Sequence, residues 1–164
     1  MTRYSVTGRA RELSPAEVEI VRSVIASLKD VTEFTTGAAV GVDTTAHYVA
    51  RLEHPNAYHR LCIPAAPHNA SLYKDDENSR VILEYAPKGR SRSESYMLRN
   101  DRVVAHADIL LAFPETSSEE LRSGTWATVR RALNAGIGVQ ITPLRSKGLL
   151  RGRARRHRRP SPGN

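Results

Sequence analysis

Three short stretches hold residues suited to gripping an anion. The longest is "TTGAAVGVDTTAH" at 35–47, where Thr36, Gly37, Ala38 and Gly41 lead into Asp43 and, four residues on, His47. A second, "TGRAR" at 7–11, sets Gly8 directly before Arg9 and Arg11. In the third, "RSGTW" at 122–126, Ser123, Gly124 and Thr125 precede Trp126. Small residues let backbone N–H groups approach a phosphate, and a helix starting there adds partial positive charge. The spacing in 35–47 admits two readings, a phosphate cradle or a tight strand-to-helix turn. No Gly-Lys-Ser/Thr follows, so it is not a P-loop, and the full G-x-G-x-x-G pattern is absent. Asp43 is better placed to cap a helix than to act as a catalytic acid, and His47 to hold the loop than to shuttle protons.

Other reactive side chains offer less. His54, His59, His68, His106 and His157 show no metal-ligand spacing with cysteine or carboxylate, so no metal and no cofactor is expected. Cys62 is the single cysteine, reads as a buried small hydrophobe, and rules out a disulfide within the chain.

The elements that must position the three stretches follow from pattern. "RYSVTG" (3–8) reads as a strand. Ser14, Pro15 and Glu17 form the start of a helix whose apolar face is Val18, Val21, Ile25 and Leu28. "VTEFTTG" (31–37) is a second strand, followed by a helix capped by Asp43 and running to about Arg51. "YHRLCIPA" (58–65) is a third strand, residues 66–79 are polar and irregular, and "RVILEYAP" (80–87) is a fourth strand. Ser91 and Glu94 open a helix toward His106; "DILLAFP" (108–114) is a buried strand. "TWATVRRALNAG" is helical with Trp126, Val129 and Leu133 on one side and Gly136 as its stop, and "GVQITPL" (138–144) is the last strand. Alternating strands and helices argue for a parallel sheet covered on both faces. In such sheets ligands bind outside the C-terminal strand ends, so three glycine-bearing loops on that edge would form one phosphate-sized site.

Charge is unevenly placed. Eight of the 25 Lys and Arg residues lie in 145–164, which has no acid; the other 17 match the 17 acids of residues 1–144. The 164 residues therefore read as one domain, 1–144, and a disordered Arg-rich basic tail, 145–164. The tail suits salt-dependent phosphate binding, and without aromatic residues it offers bases no stacking platform. There is no signal-peptide core and no apolar run of membrane-spanning length, so the chain reads as soluble and cytoplasmic.

These motifs, taken together, resemble one family. "TTGAAVGVDTTAH" is similar to the Ser-Gly-x-Ala-x-Gly-Ile-Asp-x-x-Ala-His motif of the DNA-processing protein A (DprA/Smf) family, through Thr36, Gly37, Ala39, Gly41, Val42, Asp43, Ala46 and His47. "VILEYAPKG" resembles its Ser-Glu-Tyr-Pro segment, Arg99, Asn100 and Arg102 its Arg-Asn-Arg helix, and Ser123-Gly124 its Ser-Gly-Ser/Thr helix start. Order and spacing agree over residues 5–143. The same features mark a wider superfamily, SLOG, that includes the LOG-type phosphoribohydrolases.

The resemblance implies an α/β, Rossmann-like three-layer sandwich with a mostly parallel sheet. It implies a binding protein for single-stranded DNA or a nucleotide-type phosphate ligand, without catalysis, and a homo-oligomer. Backbone amides of 36–43 and 123–125 would hold the ligand, Arg9 or Arg11 would supply charge, and Arg99 a bidentate phosphate contact. Asp43 could accept a hydrogen bond from a ribose hydroxyl. Two departures stand out: Val40 replaces a residue that is commonly basic, and position 10 is Ala where an arginine is usual, so Arg9 or Arg11 must substitute. The basic tail would compensate. The alternative is a LOG-like hydrolase that cleaves the N-glycosidic bond of a nucleoside monophosphate. Gly124, Thr125 and Arg99 match its pattern, but Thr128 stands where its glutamate belongs, leaving Glu115, Glu119 or Glu120 to approach from the preceding loop.

Overall fold

The computed structural model describes residues 1–65 and 80–145. The polar stretch 66–79, with His68, and all of the tail beyond Arg145 lie outside the described residues. The elements are β1 (Thr2–Gly8), α1 (Pro15–Ala26), β2 (Val31–Thr36), α2 (Val42–Glu53) and β3 (Tyr58–Ile63). They continue with β4 (Val81–Tyr85), α3 (Arg92–Ala105), β5 (Ile109–Phe113), α4 (Gly124–Asn134) and β6 (Gly138–Ile141). All strands of the sheet are parallel, in the order β4-β3-β2-β1-β5-β6. The architecture is the Rossmann-like α/β fold that the sequence implied, with a wholly rather than mostly parallel sheet.

Local chemistry explains most boundaries. Ser14 and Glu17 close a reciprocal capping box on α1, with Pro15 in its first turn. Ser91 Oγ accepts the Glu94 N–H, but Glu94 returns its bond to Arg90 rather than to Ser91, so that box is only half formed. Gly136, at φ +72°, ends α4 in the left-handed conformation that glycine adopts without strain. The last strand is shorter than 138–144, yet Thr142, Leu144 and Arg145 still donate to carbonyls of residues 112, 114 and 115, so the pairing with the β5 side runs on. Leu133 departs from expectation. It sits at the edge of the buried arc of Thr125, Val129 and Ala132, in the helix's last turn, and is 59% exposed.

The core has two halves, one on each face of the sheet. Val21 and Ile25 of α1 and Val42, Ala46 and Ala50 of α2 pack on Val6, Phe34, Leu111 and Phe113. Val103 and Val104 of α3 and Trp126, Val129 and Ala132 of α4 pack on Cys62, Leu110 and Ala112. Residues 110–113 of β5 are fully buried because helices cover both its faces. Beyond β1, the α3 side turns polar: Arg60 bridges Glu33 (2.7 Å) and Glu84 (3.0 Å), and His106 lies 2.7 Å from Glu84. The register places Gly8 opposite Phe113 and Thr36 opposite Leu61, so the C-terminal ends of β1, β2, β3 and β5 lie at one edge.

Candidate functional site

Chain direction across the sheet reverses at β1. The strands step from β1 outward to β4, then return to place β5 on β1's other side. Such a switch point leaves a crevice between the loops that follow the two central strands. Here it is a cleft of about 280 Å³. Gly8, Arg9 and Arg11 line it from the loop after β1, and Gly37, Ala39 and Asp43 from the loop after β2. Ser123, Gly124 and Thr125 complete it at the start of α4, with Arg99 and Asn100 of α3 at the side. Three predicted residues do not line this cleft. Thr36 is fully buried at the end of β2, Ala38 at φ +54° lines a neighbouring hollow, and Gly41 lies beneath the β1 loop.

The glycines divide by what surrounds them. A Cβ on Gly8 would fall 2.5 Å from Val42, and one on Gly37 2.5 Å from Arg99 Nη1 and 2.8 Å from Asp43 Oδ2. At Gly41 it would lie 2.2 Å from the Arg11 carbonyl, on a backbone with φ +86°. All three are fixed by packing. Gly124 is different: a Cβ there meets nothing within 4 Å. Its missing side chain leaves space in the cleft, beside N–H groups of the first turn that α4 cannot bond internally. Ser123 Oγ caps the helix through the Trp126 N–H, which leaves the Gly124 and Thr125 amides at the cleft wall.

Asp43 and Arg99 form the buried charge of the site. Asp43 does not cap α2, contrary to expectation. Helix α2 starts two residues earlier than a cap at Asp43 would set it, with Gly41 as its N-cap and no side-chain cap. From the first turn the Asp43 carboxylate instead reaches back to accept the Ala39 N–H at 3.3 Å, and it lies 3.9 Å from Arg99 Nη1. Burial pushes its pKa up to about 6, against the opposing pull of Arg99 and the loop N–H groups. Arg99 donates from Nη1 to the Gly37 carbonyl and from Nε to Asn100 Oδ1 at 2.8 Å. It therefore ties α3 to the β2 loop.

A profile of the DNA recombination-mediator protein A family matches residues 2–157. The chain belongs to this family. Among solved structures, DNA processing protein A (DprA) from Streptococcus pneumoniae superposes with a TM-score of 0.61 at 22% identity, over 85% of this chain and 50% of that one. DprA from Helicobacter pylori, whose structure concerns a single-stranded DNA binding mode, gives 0.59 at 18% identity, over 85% and 64%. The molybdenum cofactor carrier protein of Chlamydomonas reinhardtii gives 0.57 at 14% identity, over 85% and 75%. The chain thus spans half to two thirds of the length of the DprA proteins it matches, and at these identities the likeness is one of fold. No curated protein sequence matches the chain.

Against the DprA pattern, the arginines of the first loop are the largest surprise. All five N–H donors of Arg11 are spent internally: on Glu17 at 2.7 and 3.0 Å, on Glu115 at 2.9 and 3.3 Å, and on the Glu12 carbonyl. Of the two arginines expected to supply charge, Arg9 or Arg11, Arg11 thus has its donors engaged within the protein. These bonds raise the pKa of Arg11 and pull that of Glu17 down to about 2. Arg9 Nε lies 3.1 Å from Glu115, an ion pair not aligned as a hydrogen bond, and Arg145 Nε lies 2.8 Å from the same carboxylate. Glu115 therefore gathers three arginines. Sequence reasoning placed it only as a distant candidate for hydrolysis and missed this role. No local signal pairs residue 115 with residue 11.

The hydrolase pattern finds little support. Thr128 is buried and its hydroxyl donates to the Gly124 carbonyl. Glu119 is held by Arg130 at 2.6 Å. Among the described residues, Asp43 is the one carboxylate that lines the cleft. His47 is buried with its ring 6.0 Å from that of His59, and burial lowers both pKa values to about 4. Cys62 is buried, which pushes its thiol up to about 12. Among the described residues no cluster of His, Cys, Asp or Glu could hold a metal, and no helix is long and apolar enough to cross a membrane.

Proposed function

We propose that this chain binds a phosphate of single-stranded DNA, or of a nucleotide-type ligand, in the cleft at the C-terminal edge of the sheet. One observation carries the reading: the loops at Gly8–Arg9, Gly37–Ala39 and Ser123–Thr125 converge on one cleft at the topological switch point. Membership of the DprA family and the fold shared with a single-stranded DNA binder support it. Backbone amides at the start of α4 supply most of the grip. Arg9 and the unspent part of Arg99 add charge, and Arg11 braces the loop. The Arg-rich segment after residue 144 adds salt-sensitive phosphate contacts. Binding is favoured over hydrolysis because Asp43, the acid in the cleft, is already committed to the Ala39 amide and faces Arg99. Self-association of the full chain, which the family resemblance implies, is read by sedimentation.

Fluorescence anisotropy of a labelled deoxythymidine strand, across a salt series with the full chain, tests the proposal. Binding that steepens at low salt and weakens on Gly124→Ala supports the cleft. Binding indifferent to that substitution assigns the affinity to the basic segment, and no binding at low salt overturns the reading.

A further inference from the structure

We infer that a second anion site lies at the opposite edge of the sheet, and that it takes a phosphate still carrying a proton: inorganic phosphate or a phosphomonoester. The site is a cavity of about 280 Å³ lined by Arg51, Pro55, Asn56, His59, Arg80 and Val81. These residues stand at the end of α2 and at the starts of β3 and β4. In a parallel sheet that is the N-terminal edge, so the length of the strands separates this cavity from the cleft. Its two arginines come from different elements. Arg51 lies in the last turn of α2, and its charge reaches the His59 ring. Arg80 is positioned by donating to the Asn56 carbonyl, with its guanidinium 5.6 Å from the Tyr58 ring centroid. Among the described residues no carboxylate lines the cavity, and Glu53, close by in the chain, lies 3.4 Å from Arg22. The carbonyls at the end of α2 would oppose an anion, but the His54 N–H already engages that of Ala50 at 2.8 Å.

His59 decides which anion fits. It is the buried member of the wall, 2% exposed, and its Nδ1 has no hydrogen-bond partner. The other ring nitrogen, Nε2, lies 3.3 Å from the His54 carbonyl. A carbonyl only accepts, so Nε2 carries the ring proton and Nδ1 is a bare acceptor. The ring does not take up a second proton near neutral pH. Burial, then the charges of Arg51 and His54, hold its pKa at about 4, and the His47 ring, also held neutral by burial, lies 6.0 Å away. The wall thus sets positive charge beside a buried lone pair. A ligand that satisfies both accepts from the guanidiniums and donates to Nδ1. A phosphate with one remaining O–H does this, and a phosphomonoester keeps that proton over part of its population near neutral pH, its second pKa being about 6. Sulfate has the same shape and no proton. A phosphodiester has none either, so this cavity selects a different ligand class from the strand phosphate proposed for the cleft.

Nitrogen NMR of the His59 ring in the labelled full chain reads this site separately, because His59 lines this cavity and not the cleft. At about pH 6, inorganic phosphate or glycerol phosphate should shift the ring signals. Either response supports the site, and the tighter of the two names its source. Sulfate and dimethyl phosphate should need concentrations higher by about tenfold or more, the cost of meeting the Nδ1 lone pair without a proton. Arg80→Gln, at an exposed position, should weaken the phosphate response by about tenfold, the scale of one charge-assisted contact. Gly124→Ala, in the cleft, should leave the response in place. No shift of His59 with either phosphate overturns the site. Sulfate binding as tightly as phosphate overturns the choice of a proton-bearing ligand. A response unchanged in Arg80→Gln, or lost in Gly124→Ala, also overturns the site, the latter by tracing the shift to the cleft. Strand binding at the cleft has no part in this readout, so its failure would leave the inference standing.

Discussion

Gly124→Ala separates a glycine kept for a ligand from one kept for the fold. At most positions of this site the two reasons coincide, because a Cβ on Gly8, Gly37 or Gly41 collides with protein at 2.5 Å or less. Gly124 has neither a clash nor a positive φ, and it occupies the first position of α4. Alanine in a helix interior is favoured over glycine by up to about 1 kcal/mol, and less than that at the first turn. The folded chain should lose no stability and may be assayed as a well-behaved protein, with Tm level or raised by about 2 °C. The added methyl enters the space next to the Gly124 and Thr125 amides, where the phosphate is proposed to sit. Losing one charge-assisted hydrogen bond there costs about 1.5–3 kcal/mol, roughly 10- to 100-fold in affinity. Anisotropy with a deoxythymidine strand reads the affinity, and thermal denaturation of the same sample reads the fold. Unchanged affinity in a fully folded variant refutes the assignment of the α4 amino end to the ligand. Gly37→Ala is the counter-case, since its Cβ would strike Arg99 and Asp43, and it should lower Tm and affinity together.

Three further outcomes follow from the charged groups. Glu115→Gln withdraws the carboxylate shared by Arg9, Arg11 and Arg145, so strand affinity should rise and its salt dependence steepen, by up to about one unit of slope per freed arginine; weaker binding would show that Glu115 orients those arginines instead of neutralising them. Burial holds the His47 and His59 pKa values near 4, below the ordinary 6.5, so the unfolded chain binds more protons between those values and their contribution is lost as pH falls through that window. Asp43, raised from 3.8 to about 6, acts in the opposite sense, since the fold gains its proton first. With two groups set against one, stability should fall by roughly 3 kcal/mol between about pH 6.5 and 4 from these groups alone. Urea denaturation checks the slope, and His59→Gln should flatten it. Arg11→Met takes the main partner from Glu17, while Glu115 keeps Arg9 and Arg145, and should destabilise the chain by about 1–2 kcal/mol, measured by urea denaturation.

Much of this fold could be read from periodicity, because each element carries its own signal. Ser14, Pro15 and Glu17 mark α1 without help from elsewhere, and the apolar run 109–113 marks a strand covered on both faces. The three glycine loops could be found for the same reason, and alternating strands and helices sent them to one sheet edge. What periodicity does not carry is who already holds a side chain. Gly37 and Gly124 look alike in sequence. One is filled by Arg99 from a helix more than sixty positions away, and the other is open. Asp43 has the spacing of a cap, but Gly41 can adopt φ +86° and start the helix earlier, which frees the carboxylate to turn back on its own loop.

The arginines of the first loop show why composition misjudges this site. A glycine followed by two arginines after a strand reads as a basic phosphate grip. The sheet order that creates the cleft also places β5 against β1, and so brings Glu115, two residues past β5, to the arginines just past β1. Glu17, set by its capping box at the start of α1, closes on Arg11 from the other side. The adjacency that makes the crevice therefore removes much of its charge. What remains for an anion is mostly geometry: amides at the start of α4, an unfilled glycine, and what Arg9 and the unspent part of Arg99 still offer. Amides placed this way favour a phosphate at a fixed position over diffuse attraction. A site of that kind should discriminate among ligands by shape more than by charge. The loss of affinity on Gly124→Ala should then persist as salt rises, even while the affinities of both the variant and the unmodified chain fall.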